Sequence, residues 1–167
     1  MPVGEPVSDD ITRHPIDPDV DLHVPEQRFE LRRAPWAVLA AISAGGVAGT
    51  LARYGLTVAF PHRLGGFPWA TFVINVAGCL LIGVLMVAIN EAGRVHRLVR
   101  PFLGVGVLGG FTTFSAYIVD TQQAIAWGTP ATGLAYLAAT LGGALLAVYA
   151  GVNLARRFLR HREERPR

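Results

Sequence analysis

Three sets of polar residues stand inside stretches that are otherwise strongly apolar. Thr71 and Asn75 lie four residues apart in 69-WATFVINVAGCLLIGVLMVAIN-90, so on a helix they share one face. Thr132, Tyr136 and Thr140 repeat that spacing further along, and Ala144 extends the stripe. The third set is 104-GVGVLGGFTTFSAYIVD-120, where four glycines within seven residues precede Thr112, Thr113 and Ser115. Together these types offer hydrogen-bond donation without formal charge, from an amide, several hydroxyls and phenols. Phe111, Phe114 and Tyr117 stand three apart, and the positive edge of an aromatic ring attracts an anion inside an apolar passage.

Each set also has a plainer reading. Asn75 can hydrogen-bond to a neighbouring helix and hold a bundle together. Threonines can bond back to their own helix backbone, and aromatics at helical spacing pack against one another. The glycine run either lets helices approach closely or interrupts a helix around residues 109–113, because glycine is a poor helix former. An interruption at membrane depth survives only where it is buried in protein or lines a cavity, and it frees carbonyls for a cation and N–H groups for an anion. In the first apolar stretch Ala41, Gly45 and Gly49 form a small-xxx-small face that invites a second helix. Arg53, just beyond, either snorkels to the interface or draws anions to a vestibule.

The elements that must position these residues follow from charge placement. Of the 167 residues 51% are hydrophobic and 16% charged, well under the roughly 25% usual in soluble domains. All 15 basic residues are arginine. Residues 1–33 hold eight acids, four arginines and five prolines and read as a disordered acidic arm. Residues 34–155 carry seven charges in 122 positions, and six arginines crowd residues 156–167. That pattern describes an all-α membrane protein with four transmembrane helices, expected at about 35–60, 69–90, 101–127 and 130–158. The domain is therefore drawn at 34–158, with an Arg-rich tail at 159–167. Arg32, Arg33, Arg94, Arg97, Arg100, Arg156, Arg157 and Arg160 fall on the side of both termini, whereas Arg63 lies on the other, which puts the termini in the cytoplasm. No secretory leader is legible, so the first apolar helix serves as the insertion signal.

The same pattern excludes several classes. A pI of about 9.6 without a basic face on a folded element argues against a nucleic-acid binder. The single Cys79 allows neither disulfide nor zinc site. His14, His23, His62, His96 and His161 all lie outside the apolar segments, and no nucleophile–base pair or P-loop is visible, so an enzyme is not expected. A small proton-coupled multidrug exporter keeps an intramembrane carboxylate; here Asp120 is the one acid inside a segment and reads as lying towards its end. A polar, nearly uncharged path for a small anion remains, and four helices are too few to enclose it without an oligomer.

The stretches 45-GGVAGTLARYGL-56, 71-TFVINVAGCLLIG-83 and 104-GVGVLGGFTTFSAY-117 together resemble the CrcB/Fluc family of fluoride channels over residues 36–155. The resemblance implies an antiparallel dimer in a prokaryotic cell membrane, with two pathways that let fluoride leave the cytoplasm passively. Asn75 and Thr71 would donate to the ion, with Ser115 beside the pathway and the ring edges of Phe114 and Tyr117 facing it. Tyr117 stands where the family usually has a second phenylalanine. Tyr136 and Thr140 match the polar track of the fourth helix, and Ala144 lacks a hydroxyl often present one turn on. Backbone carbonyls of Gly109 and Thr112 match those holding a structural sodium ion, and Arg53 matches a structural or vestibular arginine. The lopsided arginines raise a further expectation: this chain pairs either with itself or, as a partner subunit, with a differently charged paralogous chain.

Overall fold

Prolines set where the helices begin. Proline tolerates the first helical turn, where its missing N–H has no partner to lose, and it stands at or beside the start of all four spans. The computed structural model describes residues 35–91 and 96–163. Its helices are α1 (Pro35–Ala59), α2 (Trp69–Glu91), α3 (Arg100–Leu108), α4 (Gly109–Phe111), α5 (Phe114–Ala126) and α6 (Pro130–Glu163), with no strand among the described residues. α3 is wound as a π-helix and runs straight into α4. Counting α3 to α5 as one stretch, four segments are long and apolar enough to cross a membrane: Trp36–Ala59, Trp69–Glu91, Arg100–Ala126 and Pro130–Arg160.

The fourth helix differs from expectation. It continues past Phe158 to Glu163, because the Leu- and Arg-rich sequence favours helix and no breaker intervenes before Pro166. Its 34 residues span about 51 Å at ~1.5 Å per residue, well beyond ~30 Å of hydrocarbon. The arginine-bearing end thus stands clear of the apolar layer, and the expected tail begins as helix. The acidic arm at 1–33 and residues 164–167 lie outside the described residues.

Small residues govern the packing. α2 and α6 make the most extensive contact. At their crossing a Cβ on Gly83 would meet the Val148 carbonyl at 2.6 Å, and one on Gly151 would strike the Leu80 carbonyl. Gly143 lies level with Phe72 and Val76, and Gly151 with Leu80 and Val84, so α2 and α6 run parallel. The small-residue face of α1 meets α3: Gly45 lies against the Phe102 carbonyl and Gly106, and Gly49 against Val107. Thr50 Oγ1 donates to the Gly110 carbonyl at 3.4 Å on the same seam. Contacts of Gly104 with Leu85 and of Gly78 with Thr112 show α3 running back along α2. Both ends of the described bundle therefore share one side. At the other, Gly128 takes φ +77° to close the α5–α6 turn, and Thr129 Oγ1 reaches the carbonyls of Gly65 and Ala124 at 3.1 and 2.8 Å.

Large apolar side chains such as Leu51, Leu141, Leu145 and Leu146 remain exposed. That is the arrangement of a bundle whose solvent is hydrocarbon, where close backbone approach replaces hydrophobic burial as the source of cohesion.

Candidate functional site

The helical path stops at Phe111 and resumes at Phe114. Between them Thr112 (φ −77°, ψ 159°) and Thr113 (φ −151°, ψ 121°) are extended. Such an interruption leaves backbone groups without helical partners, and local side chains take over several of them. Thr113 Oγ1 caps α5 by accepting from Ala116 N at 3.1 Å. Asn75 pins the other side of the same residue, its Nδ2 donating to the Thr113 carbonyl and its Oδ1 accepting from Thr113 N, both at 2.9 Å. Because the Thr113 N–H turns to Asn75, it is not available to the Gly109 carbonyl four residues back. Thr112 Oγ1 bonds to the Leu108 carbonyl at 2.9 Å. Gly78 is required opposite, since a Cβ there would collide with the Thr112 methyl.

Two cavities lie on either side of this clamp, and Thr113 borders both. The first, about 420 Å³, is lined by Asn75, Gly109, Thr112, Phe114, Tyr117 and Thr140 among others, on a largely apolar wall that includes Cys79 and Ala144. The second, about 300 Å³, holds Arg53, His62, Thr71 and Asp120. There Thr71 Oγ1 donates to the Asp120 carboxylate at 2.7 Å.

A chain of rings runs beside the clamp. Phe114 and Tyr117 have centroids 5.7 Å apart, Tyr117 meets Tyr136 at 5.3 Å, and Tyr136 meets Phe67 edge-on at 5.3 Å. Tyr117 donates its hydroxyl to the Leu137 carbonyl of α6 at 2.7 Å. Tyr136 is wholly enclosed (0% exposed), and among the described residues neither its hydroxyl nor that of Thr140 makes a hydrogen bond of standard length and angle, although Thr71 and Thr140 stand within electrostatic reach of the phenol. Thr71, Thr140 and Asp120 are polar neighbours of that phenol. A buried hydroxyl without a partner carries a desolvation cost, so two side by side mark a place where a ligand has something to gain.

Measured against the sequence reading, Asn75, Thr112, Gly109, Phe114, Tyr117 and Thr140 converge on one cavity. Thr71 and Arg53 converge on the other. Phe114 is 75% exposed at the rim of the first, and Ser115 is exposed and lines neither. The three-residue aromatic stripe does not continue through Phe111, because two extended residues separate it from α5 and reset the helical phase. Asp120, read from sequence as lying towards the end of its segment, stands beside Thr71 near the start of α2. One signal could have found it: Tyr117 and Asp120 are three apart and share a face of α5. Thr113 was also missed as the clamp's backbone half, although a threonine directly before a helical run is an N-cap signal.

Residues 40–152 match the family model described as CrcB-like protein, Camphor Resistance (CrcB). The chain is 53% identical over 126 residues to a Streptomyces coelicolor protein named fluoride-specific ion channel FluC 1, covering 75% of this chain and 82% of that one. It is 50% identical over 125 residues to FluC 2 of Streptomyces avermitilis, covering 75% and 79%. A third relative, FluC 2 of Thermobifida fusca, is 53% identical over 118 residues, covering 71% and 87%. With four membrane-crossing segments and a family match over most of its length, this chain belongs to the CrcB-like family of multi-pass membrane proteins.

Proposed function

We propose that the chain is a fluoride channel subunit that lets the anion leave the cytoplasm down its gradient. The relatives' names support the ion. The observation that carries the reading from the structure is the pair of buried, unpartnered hydroxyls of Tyr136 and Thr140, of which Thr140 lines the cavity bordered by Asn75, Phe114 and Tyr117. Fluoride is a small, strongly hydrated anion, and it gives up water only where several donors replace it at once. Asn75 keeps one amide hydrogen uncommitted among the described residues; the two hydroxyls and the ring edges supply the rest.

The cavity is open on one side and Phe114 is exposed at its rim, which supports completion by a second subunit. In an antiparallel dimer, carbonyls of Gly109 and Thr112 from two chains would hold a sodium ion. The donor set fits a hard cation, since the Gly109 carbonyl has lost the Thr113 N–H and the space beside Gly109 is open. Such an ion would supply fixed positive charge that holds the interrupted segments together.

A second reading concerns the partner. Arg97, Arg100, Arg156, Arg157 and Arg160 share the side of the described termini, and Arg63 alone among the described residues lies in the loops opposite. That bias favours one orientation and so an oppositely oriented paralogue; Streptomyces avermitilis has relatives numbered FluC 2 and FluC 3. The test is fluoride efflux from liposomes holding the purified chain, followed by a fluoride electrode against chloride. Fluoride release by the chain alone supports a homodimer, and release only with a co-reconstituted paralogue supports the heterodimer. Silence in both cases, or chloride moving as fast, sinks the channel reading.

A further inference from the structure

The end of the bundle that carries both described termini gathers arginines from two helices at one level. α2 and α6 run parallel with Val84 beside Gly151. Glu91, the last residue of α2, lies seven residues past Val84 and so stands level with Phe158, seven past Gly151. Arg156, Arg157 and Arg160 flank that position on α6. α3 runs the opposite way with Gly104 beside Leu85, which brings its first residue, Arg100, to about the same height. All four arginine side chains are exposed, and none has an ion-pair partner among the described residues. Glu91 is the one acid at this level among the described side chains.

The height of this group against the bilayer can be read from α6. Its exposed leucines run from Leu134 to Leu154, a rise of ~30 Å that equals the hydrocarbon thickness. Arg156 and Arg157 follow ~3–5 Å beyond Leu154, which places them in the headgroup layer rather than in bulk water. Leu154, Arg157 and Phe158 share one helix face at i, i+3 and i+4, and both apolar members are exposed. That face therefore offers apolar surface and a guanidinium together. Arginines that only fix orientation need no particular depth. A guanidinium keeps its charge at any physiological pH and presents a planar fork of donors that grips two phosphate oxygens at once.

We propose that Arg100, Arg156, Arg157 and Arg160 form a binding surface for the phosphate groups of anionic phospholipids. Four fixed positive charges against one carboxylate leave a surplus that a zwitterionic headgroup does not neutralise and an anionic one does. The acyl chains of the same lipids lie along Leu154 and the apolar face beneath it. Basic clusters directly outside a membrane helix attract anionic lipid in proportion to their number, and here two helices supply one cluster.

The test titrates the full chain, purified in a neutral detergent, with phosphatidylglycerol or with phosphatidylcholine of the same acyl chains while thermal unfolding is followed. The wild type should reach a given stabilisation at a phosphatidylglycerol concentration at least about tenfold lower than for phosphatidylcholine, the scale expected of several arginines at an anionic surface. The triple variant Arg156→Gln, Arg157→Gln, Arg160→Gln should respond to both lipids alike, with a lipid-free midpoint within about 2 °C of wild type, as for exposed substitutions in general. Should the triple variant not fold, Arg157→Gln and Arg100→Gln carry the same test singly, each weakening the preference about fivefold. Equal response of the wild type to the two lipids overturns the proposal, and so does a variant that keeps the preference. Glycerol phosphate stabilising the wild type at the same phosphate concentration overturns it as well, since the surface would then take a soluble anion. Unfolding is read without ion flux, so either result stands apart from the channel reading.

Discussion

Two polar clusters lie within a few turns of each other, and they are satisfied to opposite degrees. At the helix interruption the backbone of Thr113 is fully engaged, through two reciprocal bonds with the Asn75 amide, and its hydroxyl oxygen caps α5, while Asn75 keeps one amide hydrogen over. One helix away, Tyr136 and Thr140 hold hydroxyls that are more deeply enclosed and make no hydrogen bond of standard geometry among the described residues. Folding gains from the first cluster and gains nothing from the second. The contrast separates residues that build the site from residues left for something to bind.

The largest expected effect comes from breaking the satisfied cluster. Asn75→Ala leaves the Thr113 N–H and carbonyl unpaired in a part-buried site, at about 1–3 kcal/mol for each group. Thermal unfolding in detergent should fall clearly, and fluoride efflux should drop by at least about a hundredfold as the interruption loses its clamp. Asn75→Asp should recover part of the stability, because a carboxylate still accepts from Thr113 N; recovery of flux as well would argue against the amide as donor to the ion.

The unsatisfied cluster should respond in the reverse sense. Tyr136→Phe and Thr140→Val remove hydroxyls that make no hydrogen bond of standard geometry among the described residues, so unfolding temperature should stay level or rise, within about 0.5 kcal/mol, as removing an unpaired buried polar group is neutral or favourable. Flux should nevertheless fall about tenfold in each, the loss expected for one hydrogen bond to a charged species of ~1.5 kcal/mol. A variant that loses stability and keeps flux would show that these hydroxyls have structural partners and would dissolve the distinction.

Thr71 lies between the two cases. It is buried and paired, yet its partner is the Asp120 carboxylate in the second cavity, and the Tyr136 phenol is its neighbour. Thr71→Val should cost about 1–2 kcal/mol, because it strips a hydrogen bond from a carboxylate. Combining it with Asp120→Asn should cost less than the sum, since the double variant leaves no half-buried charge unsupported. Strict additivity, read from unfolding midpoints, would mean the two do not act as a pair.

Much of this was legible in the sequence, and the limits have a physical cause. Four apolar stretches ended by prolines and interfacial tryptophans announce membrane helices, because bilayer thickness fixes their length. The Thr71–Asn75 spacing and the small-residue face of α1 rest on helical periodicity and hold in three dimensions. Hydrogen-bond assignment is another matter. Nothing in the chain tells whether an amide is engaged by a backbone 38 residues away, and nothing distinguishes Thr140, left empty, from Thr121, which bonds to the Tyr117 carbonyl at 2.9 Å. Asp120 shows the same limit: its place towards the end of its helix was readable, but its partner on α2 was not. His62 sits in a loop, where periodicity gives no information on facing.

Tyr117 gives the smallest effect and the finest test of the contrast. Tyr117 carries a hydroxyl that a phenylalanine at this position would lack, a group able in principle to face the ion. The structure instead turns that hydroxyl to the Leu137 carbonyl of α6 while the ring borders the cavity and packs against Phe114 and Tyr136. The hydroxyl belongs to the satisfied class and the ring edge to the available one, within a single side chain. Tyr117→Phe should therefore lower stability by about 0.6 kcal/mol, the average worth of an interhelical hydrogen bond in a membrane, and leave flux within about twofold. Tyr117→Leu, which removes the ring, should cost flux far more. If the phenylalanine variant instead conducts several times faster, the hydroxyl reaches the ion path, and paired groups are no longer confined to scaffolding.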